Sequence, residues 1–192
     1  MVDTKQTKTI GEHYAAAALA RRGWAPALTR DGLERTDILA VKTDSQRRLI
    51  EVQVKTAMNS GWKYVNWPLG DKSQTPSASE QEYFVMVGVL ANMAIAPRFF
   101  VLPRAHVAAA AWITHQHWLT EPGIPAGKRN VSASRSRVHV RTFEQYEDRW
   151  DLLDIDEHEC PVLLPPEYRD LALEPRVGLP ADHPWRVSLP AW

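Results

Sequence analysis

Across Leu49–Lys55, Ile50, Val52 and Val54 alternate with Glu51, Gln53 and Lys55. A period of two is the strand signature, so this segment predicts a half-buried strand with an apolar and a polar face. Thr36–Val41 is apolar after its first two residues and predicts a second strand. The polar turn Thr43–Arg48 is short enough to make the two antiparallel neighbours. Upstream, Ile10–Arg22 is alanine-rich and stops at Gly23, which predicts a helix with Thr9 as its N-cap. Tyr83–Leu90 is a near-continuous apolar run and predicts a strand buried on both faces. Arg98–Leu102 predicts another strand, ended by Pro103, and His106–Leu119 a helix rich in Ala and Trp. Val138–Val140 predicts a short strand. Phe143–Leu153 predicts an amphipathic helix, with Phe143, Tyr146, Trp150 and Leu153 near helical spacing. Met58–Ser79 has no periodicity and reads as a long excursion. Seven of the 14 prolines fall between Pro161 and Pro190. That composition predicts an α/β domain over 1–156 followed by a Pro-rich, acidic, extended tail over 157–192.

At 192 residues and 44% hydrophobic, the chain can bury one sizeable core. The formal net charge of zero hides a segregation. Residues 1–143 carry +8 and residues 144–192 carry −8, which describes a basic body with an acidic end. The single Cys160 excludes a disulfide framework and a cysteine zinc site within one chain. No apolar run approaches the ~20 residues of a membrane span. The polar start Met1–Thr9 has no apolar core after it, so no secretory leader is expected. A soluble cytoplasmic protein is the expectation.

The chemistry-bearing set is Glu12, Asp37, Glu51, Gln53 and Lys55. Glu51, Gln53 and Lys55 share the polar face of one strand. Asp37 begins the neighbouring strand, and Glu12 lies in a helix whose alanines permit close approach to a sheet. Mg²⁺ takes oxygen ligands, commonly one or two protein carboxylates with waters and phosphate. Asp37, the Gln53 side-chain oxygen, and Glu12 or Glu51 would supply them. A lysine alongside would orient water or stabilise charge developing on phosphorus. The plainer reading is that Glu51, Gln53 and Lys55 form the wet face of a strand.

The ordered combination is a helix with an inner Glu, an Asp-led strand and a polar-alternating strand ending in Lys. It resembles the PD-(D/E)XK nuclease superfamily, with its restriction-endonuclease-like fold. The resemblance covers about Thr9–Ala57 and extends loosely to Leu102. It rests on Gly11-Glu12, Thr36-Asp37-Ile38-Leu39 and Gln53-Val54-Lys55. The phrase Glu51-Val52-Gln53-Val54-Lys55-Thr56 looks most like the Q-x-K branch, as in Mrr-like and some Holliday-junction-resolvase-like members. Thr36 stands where the name motif has proline, and Gln53 where it has an acid. The resemblance implies a central mixed β-sheet flanked by helices and Mg²⁺- or Mn²⁺-dependent cleavage of DNA. It also implies Asp37 and Gln53 as metal ligands, Glu12 as the helical acid and Lys55 as the catalytic lysine. A homodimer is the natural arrangement for such an enzyme to cut two strands. The alternative is a catalytically inactive nucleic-acid- or protein-binding module on the same fold, which Gln53 in place of an acid favours.

Lys128, Arg129, Arg135, Arg137 and Arg141 form a basic run with serines interspersed and no acid between them. Such a run suits a phosphate backbone, although a solvated loop has the same composition. Trp62, Tyr64 and Trp67 suit either base stacking or a lid on the core.

Overall fold

A computed structural model describes residues 3–29, 33–125 and 127–192. The chain is a mixed α/β protein with a central mixed sheet flanked by helices. In chain order the strands are β1 Trp24–Leu28, β2 Ile38–Lys42, β3 Leu49–Asn59, β4 Asn66–Pro68, β5 Glu82–Leu90, β6 Arg98–Pro103 and β7 Arg137–His139. The helices are α1 Thr4–Ala20, α2 Arg104–Leu119 and α3 Glu167–Leu173. The main sheet has the order β1-β2-β3-β5-β6, and β4 pairs with β7 in a small second sheet. Among the described residues only the β3–β5 pair is parallel; it runs from Glu51↔Glu82 to Asn59↔Leu90. The other neighbours in the main sheet are antiparallel.

The long parallel pair explains the apolar run in β5. Every residue from Tyr83 to Val87 has no exposed surface, as expected of a strand covered on both faces. Gly11 of α1 meets the Thr56 side chain, whereas Arg104 of α2 meets Gln53. Thr56 and Gln53 are an odd number of residues apart on β3, so α1 and α2 cover opposite faces of the sheet.

Several local expectations are corrected. α1 begins at Thr4 rather than Ile10, and Asp3, not Thr9, is its N-cap. The Asp3 carboxylate accepts from Gln6 N at 2.7 Å and the Gln6 side chain accepts from Asp3 N at 3.0 Å, a reciprocal capping box. β1 interrupts a stretch with no strand periodicity. Its Pro26 is tolerated because β1 is an edge strand. Phe143–Leu153 is not one α-helix. It forms two 3₁₀ segments, Val140–Tyr146 and Trp150–Asp154. Between them Glu147 is extended and bridges to Phe100 of β6, and Asp148 has φ +53°. Apolar residues three apart satisfy a 3₁₀ turn as well as an α-helix, and the segment covers the open edge of β6.

The excursion over 58–79 contains the end of β3, two 3₁₀ turns and β4. Trp67 is fully buried against Phe100, so it belongs to the core. Residues 157–192 are largely irregular apart from α3 and short 3₁₀ turns, and they pack on the body. Leu164, Tyr168, Leu179 and Trp185 join the core cluster. Tyr168 shares a hydrogen bond with Thr114 of α2, and Trp112 Nε1 donates to the Val177 carbonyl.

Candidate active site

The site lies where β2 begins. The chain enters it through Arg35, a non-glycine residue at φ +72°. Thr36 follows, buried, with its hydroxyl donating to Glu51 Oε2 at 2.7 Å. Asp37 N then donates to the Val52 carbonyl, and Asp37 Oδ2 accepts from Val54 N at 2.8 Å. One step beyond the Ile38↔Val52 pair, Asp37 therefore stands opposite Gln53. Backbone contacts on both sides of Gln53 hold the carboxylate at the end of the sheet.

From the other side comes α1. Because Gly11 has no side chain, the helix comes down onto Thr56, and the next residue, Glu12, arrives beside Asp37. One ammonium joins the two acids: Lys8 Nζ lies 3.3 Å from Glu12 Oε1 and 3.3 Å from Asp37 Oδ1. Burial raises the pKa of the Glu12 carboxyl, and the Asp37 charge adds to that, against the opposing pull of Lys8. For Lys8, burial works against the charge, but Asp37 and Glu12 outweigh it and hold its pKa above the ordinary lysine value.

Lys55 is half-buried and makes no ion pair within 4 Å among the described residues. Burial lowers its pKa; Asp37 is near enough to oppose that shift, while Arg104, Lys8 and Lys72 add to it. Lys55 is thus a partly desolvated ammonium within the field of Asp37.

The other two expected residues have separate partners. Glu51 is engaged by Thr36 and does not join Glu12 and Asp37. Gln53 Oε1 accepts from Arg104 Nη2 at 2.8 Å. Arg104, only 1% exposed, also lies 2.6 Å from Glu82 Oε2 through its Nε, donates to the Arg35 carbonyl and covers the Phe84 ring. Burial, with the neighbouring Arg35 charge, pushes its pKa down to about 10. Among the described residues no group of three or more His, Cys, Asp and Glu side chains is gathered. The carboxylates that meet are the pair Glu12 and Asp37.

Sequence reasoning missed Lys8, Glu82 and the part played by Arg104. The four-residue spacing of Lys8 and Glu12 on one helix face was a usable signal. So was a lone arginine at the head of the apolar run Ala105–Ala111. Nothing local ties Glu82 to the site.

The basic run is spread over several settings. Lys128, Arg135, Arg137 and Arg141 are exposed. Arg129 is pinned to Glu121 at 2.6 Å and stacks on Trp118, and Arg137 donates to Asn66. The turn carrying Lys72 packs against the segment before Arg135: Gly70 abuts Ser134, and Gln74 donates to the Ala133 carbonyl. Lys72 itself is paired with Glu34 at 2.7 Å, and its charge bears on Lys55.

No family model matches the chain, and no curated protein matches it. Among solved structures, a bacterial homing endonuclease, I-Ssp6803I, aligns with 17% identity and a TM-score of 0.41, covering 80% of this chain and 94% of that one. No helix among the described residues is long and apolar enough to cross a membrane.

Proposed function

We propose that this protein is a divalent-metal-dependent nuclease that hydrolyses phosphodiester bonds in DNA, built on a restriction-endonuclease-like fold of the PD-(D/E)XK kind. The observation that carries the reading is the meeting of Glu12 and Asp37 around one cation, with the partly desolvated Lys55, without an ion-pair partner among the described residues, in the field of Asp37.

The fit to a metal is tested by Lys8. Its ammonium lies at 3.3 Å from both carboxylates, so the pair already accommodates a positive charge between them. Mg²⁺ needs no more than one or two carboxylates, since waters and phosphate oxygens complete its shell. Glu12 and Asp37 would hold Mg²⁺ or Mn²⁺, which when bound polarises a phosphoryl oxygen and acidifies water. Lys55 would orient the attacking water and stabilise negative charge developing on the phosphoryl group. Its lowered pKa keeps the proton more readily exchanged than on a solvated lysine. Lys72 and Arg135 would extend the positive surface along the substrate backbone, with Lys128, Arg137 and Arg141 farther along the run.

One observation favours the second reading, an inactive binding module: the residue two before Lys55 is a neutral amide already bonded to Arg104. Incubating linear, supercoiled and branched DNA with and without Mn²⁺, beside Asp37→Asn and Lys55→Ala, separates the two. The nuclease reading expects metal-dependent cutting that both substitutions abolish. Equal cutting by the variants, or none by the wild type, rejects it.

A further inference from the structure

We infer that Gln53 serves this site as a hydrogen-bond donor to a phosphate oxygen and not as a metal ligand, with Arg104 as the positioning residue that turns its carboxamide. The inference rests on the nuclease reading above.

The argument begins with what a guanidinium can do. It only donates. Arg104 Nη2 lies 2.8 Å from the Gln53 side chain, so the atom facing it must be the carbonyl oxygen. The two ends of a carboxamide are otherwise assigned by their hydrogen-bond network, and here the network allows one answer. The NH₂ group then faces away from Arg104. It has no hydrogen-bond partner among the described residues and is not among the buried polar atoms left unpaired. Lys55, two residues on, shares its face of β3. An amide NH₂ and an ammonium side by side are donors, and together they suit an anion.

The same geometry disfavours Gln53 as a ligand. Its oxygen already accepts from a buried cation, which repels a divalent ion approaching the same atom. Rotating the amide to free the oxygen would set NH₂ against guanidinium. It would also strip a partner from Arg104, whose Nη1 is already buried without one. Arg104 has little freedom to follow. Glu82 Oε2 at 2.6 Å, the Arg35 carbonyl at 3.1 Å and the Phe84 ring at 4.6 Å hold it in place. Phe84 pairs with Gln53 across β3 and β5, so the guanidinium that bonds the amide also covers the ring of the amide's cross-strand neighbour.

The test uses the full chain and two binding measurements. One is Mn²⁺ titration by calorimetry. The other is affinity for a short DNA duplex in EDTA, read by fluorescence anisotropy. Gln53→Met is expected to keep Mn²⁺ affinity within about twofold of wild type, whereas Asp37→Asn lowers it at least tenfold. Gln53→Met is also expected to weaken metal-free DNA binding about tenfold, the scale of one hydrogen bond to a charged group. Arg104→Met provides the second background, because Glu82 there keeps Arg35 at 3.0 Å and the Ala78 N–H as partners. There Gln53→Met should no longer change DNA affinity, an energetic coupling that a purely structural Arg104 would not show. A loss of Mn²⁺ binding in Gln53→Met as large as in Asp37→Asn overturns the inference and leaves the nuclease reading standing. A wild type that fails to bind Mn²⁺, with DNA affinity still lost in Gln53→Met, rejects the nuclease reading and keeps the donor role. Unchanged DNA affinity in Gln53→Met overturns the donor role in either case.

Discussion

A Cβ placed on Gly11 would lie 1.7 Å from Thr56 Oγ1 and 2.8 Å from Thr56 Cβ. Helix and strand are in direct contact at this point, and the contact sets Glu12 beside Asp37. Gly→Ala within a helix ordinarily stabilises by about 1 kcal/mol. Gly11→Ala should do the reverse, destabilising by about 1–3 kcal/mol through overpacking. It should also weaken Mn²⁺ binding as Glu12 is pushed away from Asp37. Chemical denaturation with a parallel metal titration checks both effects; a stabilised variant with unaltered metal affinity would contradict the contact.

Lys8 holds the two carboxylates in the absence of any other cation, and its side chain is 56% exposed. A divalent ion bound by Glu12 and Asp37 must displace it. Lys8→Met should therefore tighten Mn²⁺ binding by roughly fivefold or more, because a like charge is removed from the site. Calorimetry on the two proteins decides the matter, and equal or weaker binding in the variant would contradict it.

Under the proposed function, Lys55 ties stability to activity with opposite signs. Its native pKa is lowered by burial from the ordinary 10.5, so the folded state binds its proton less tightly than the unfolded state. The penalty is present in full below the native pKa and disappears as pH rises from there through 10.5. Lys55→Met should therefore raise the denaturation midpoint at neutral pH, with the gain shrinking in alkali. It should also reduce cleavage by about 100-fold or more, the scale of lost acid–base catalysis. Urea midpoints from pH 7 to 10.5, set beside cleavage rates, test the pair of effects.

Glu157 offers a second pH-dependent test. Its carboxylate accepts from Ala105 N at 2.7 Å, at the first turn of α2, and burial pushes its pKa up to about 7 from 4.5. A raised native pKa means that the folded state holds the proton more tightly. The contribution to stability is complete below pH 4.5 and fades as pH climbs through about 7. Glu157→Gln keeps an acceptor for Ala105 without the charge. It should abolish this slope and stabilise the protein at neutral pH by about 1–3 kcal/mol. Parallel slopes for the two proteins between pH 4.5 and 7 would refute it.

Legibility in the sequence divides along physical lines. The alternation over Leu49–Lys55 and the Asp-led run after Thr36 were readable because a strand's two-residue period is local and binary. β3 and β2 lie where those patterns placed them. β1 was not readable, since five residues with a central proline carry no period. Phe143–Leu153 was misread because residues three apart serve α and 3₁₀ geometry equally, and the decision came from the pairing of Glu147 with β6.

For the candidate site, the sequence by itself determined the residue types and their order: an acid in a small-residue helix, an aspartate at a strand's start, and a lysine on the polar face of the next strand. Tertiary structure alone decided their company. Gly11 against Thr56 brought Glu12 to Asp37, and Arg104, 51 positions from Gln53, claimed the amide oxygen. Glu51 turned instead to Thr36. Periodicity is written by backbone geometry residue by residue, whereas the partner of a polar side chain is chosen by which distant elements the buried core forces together.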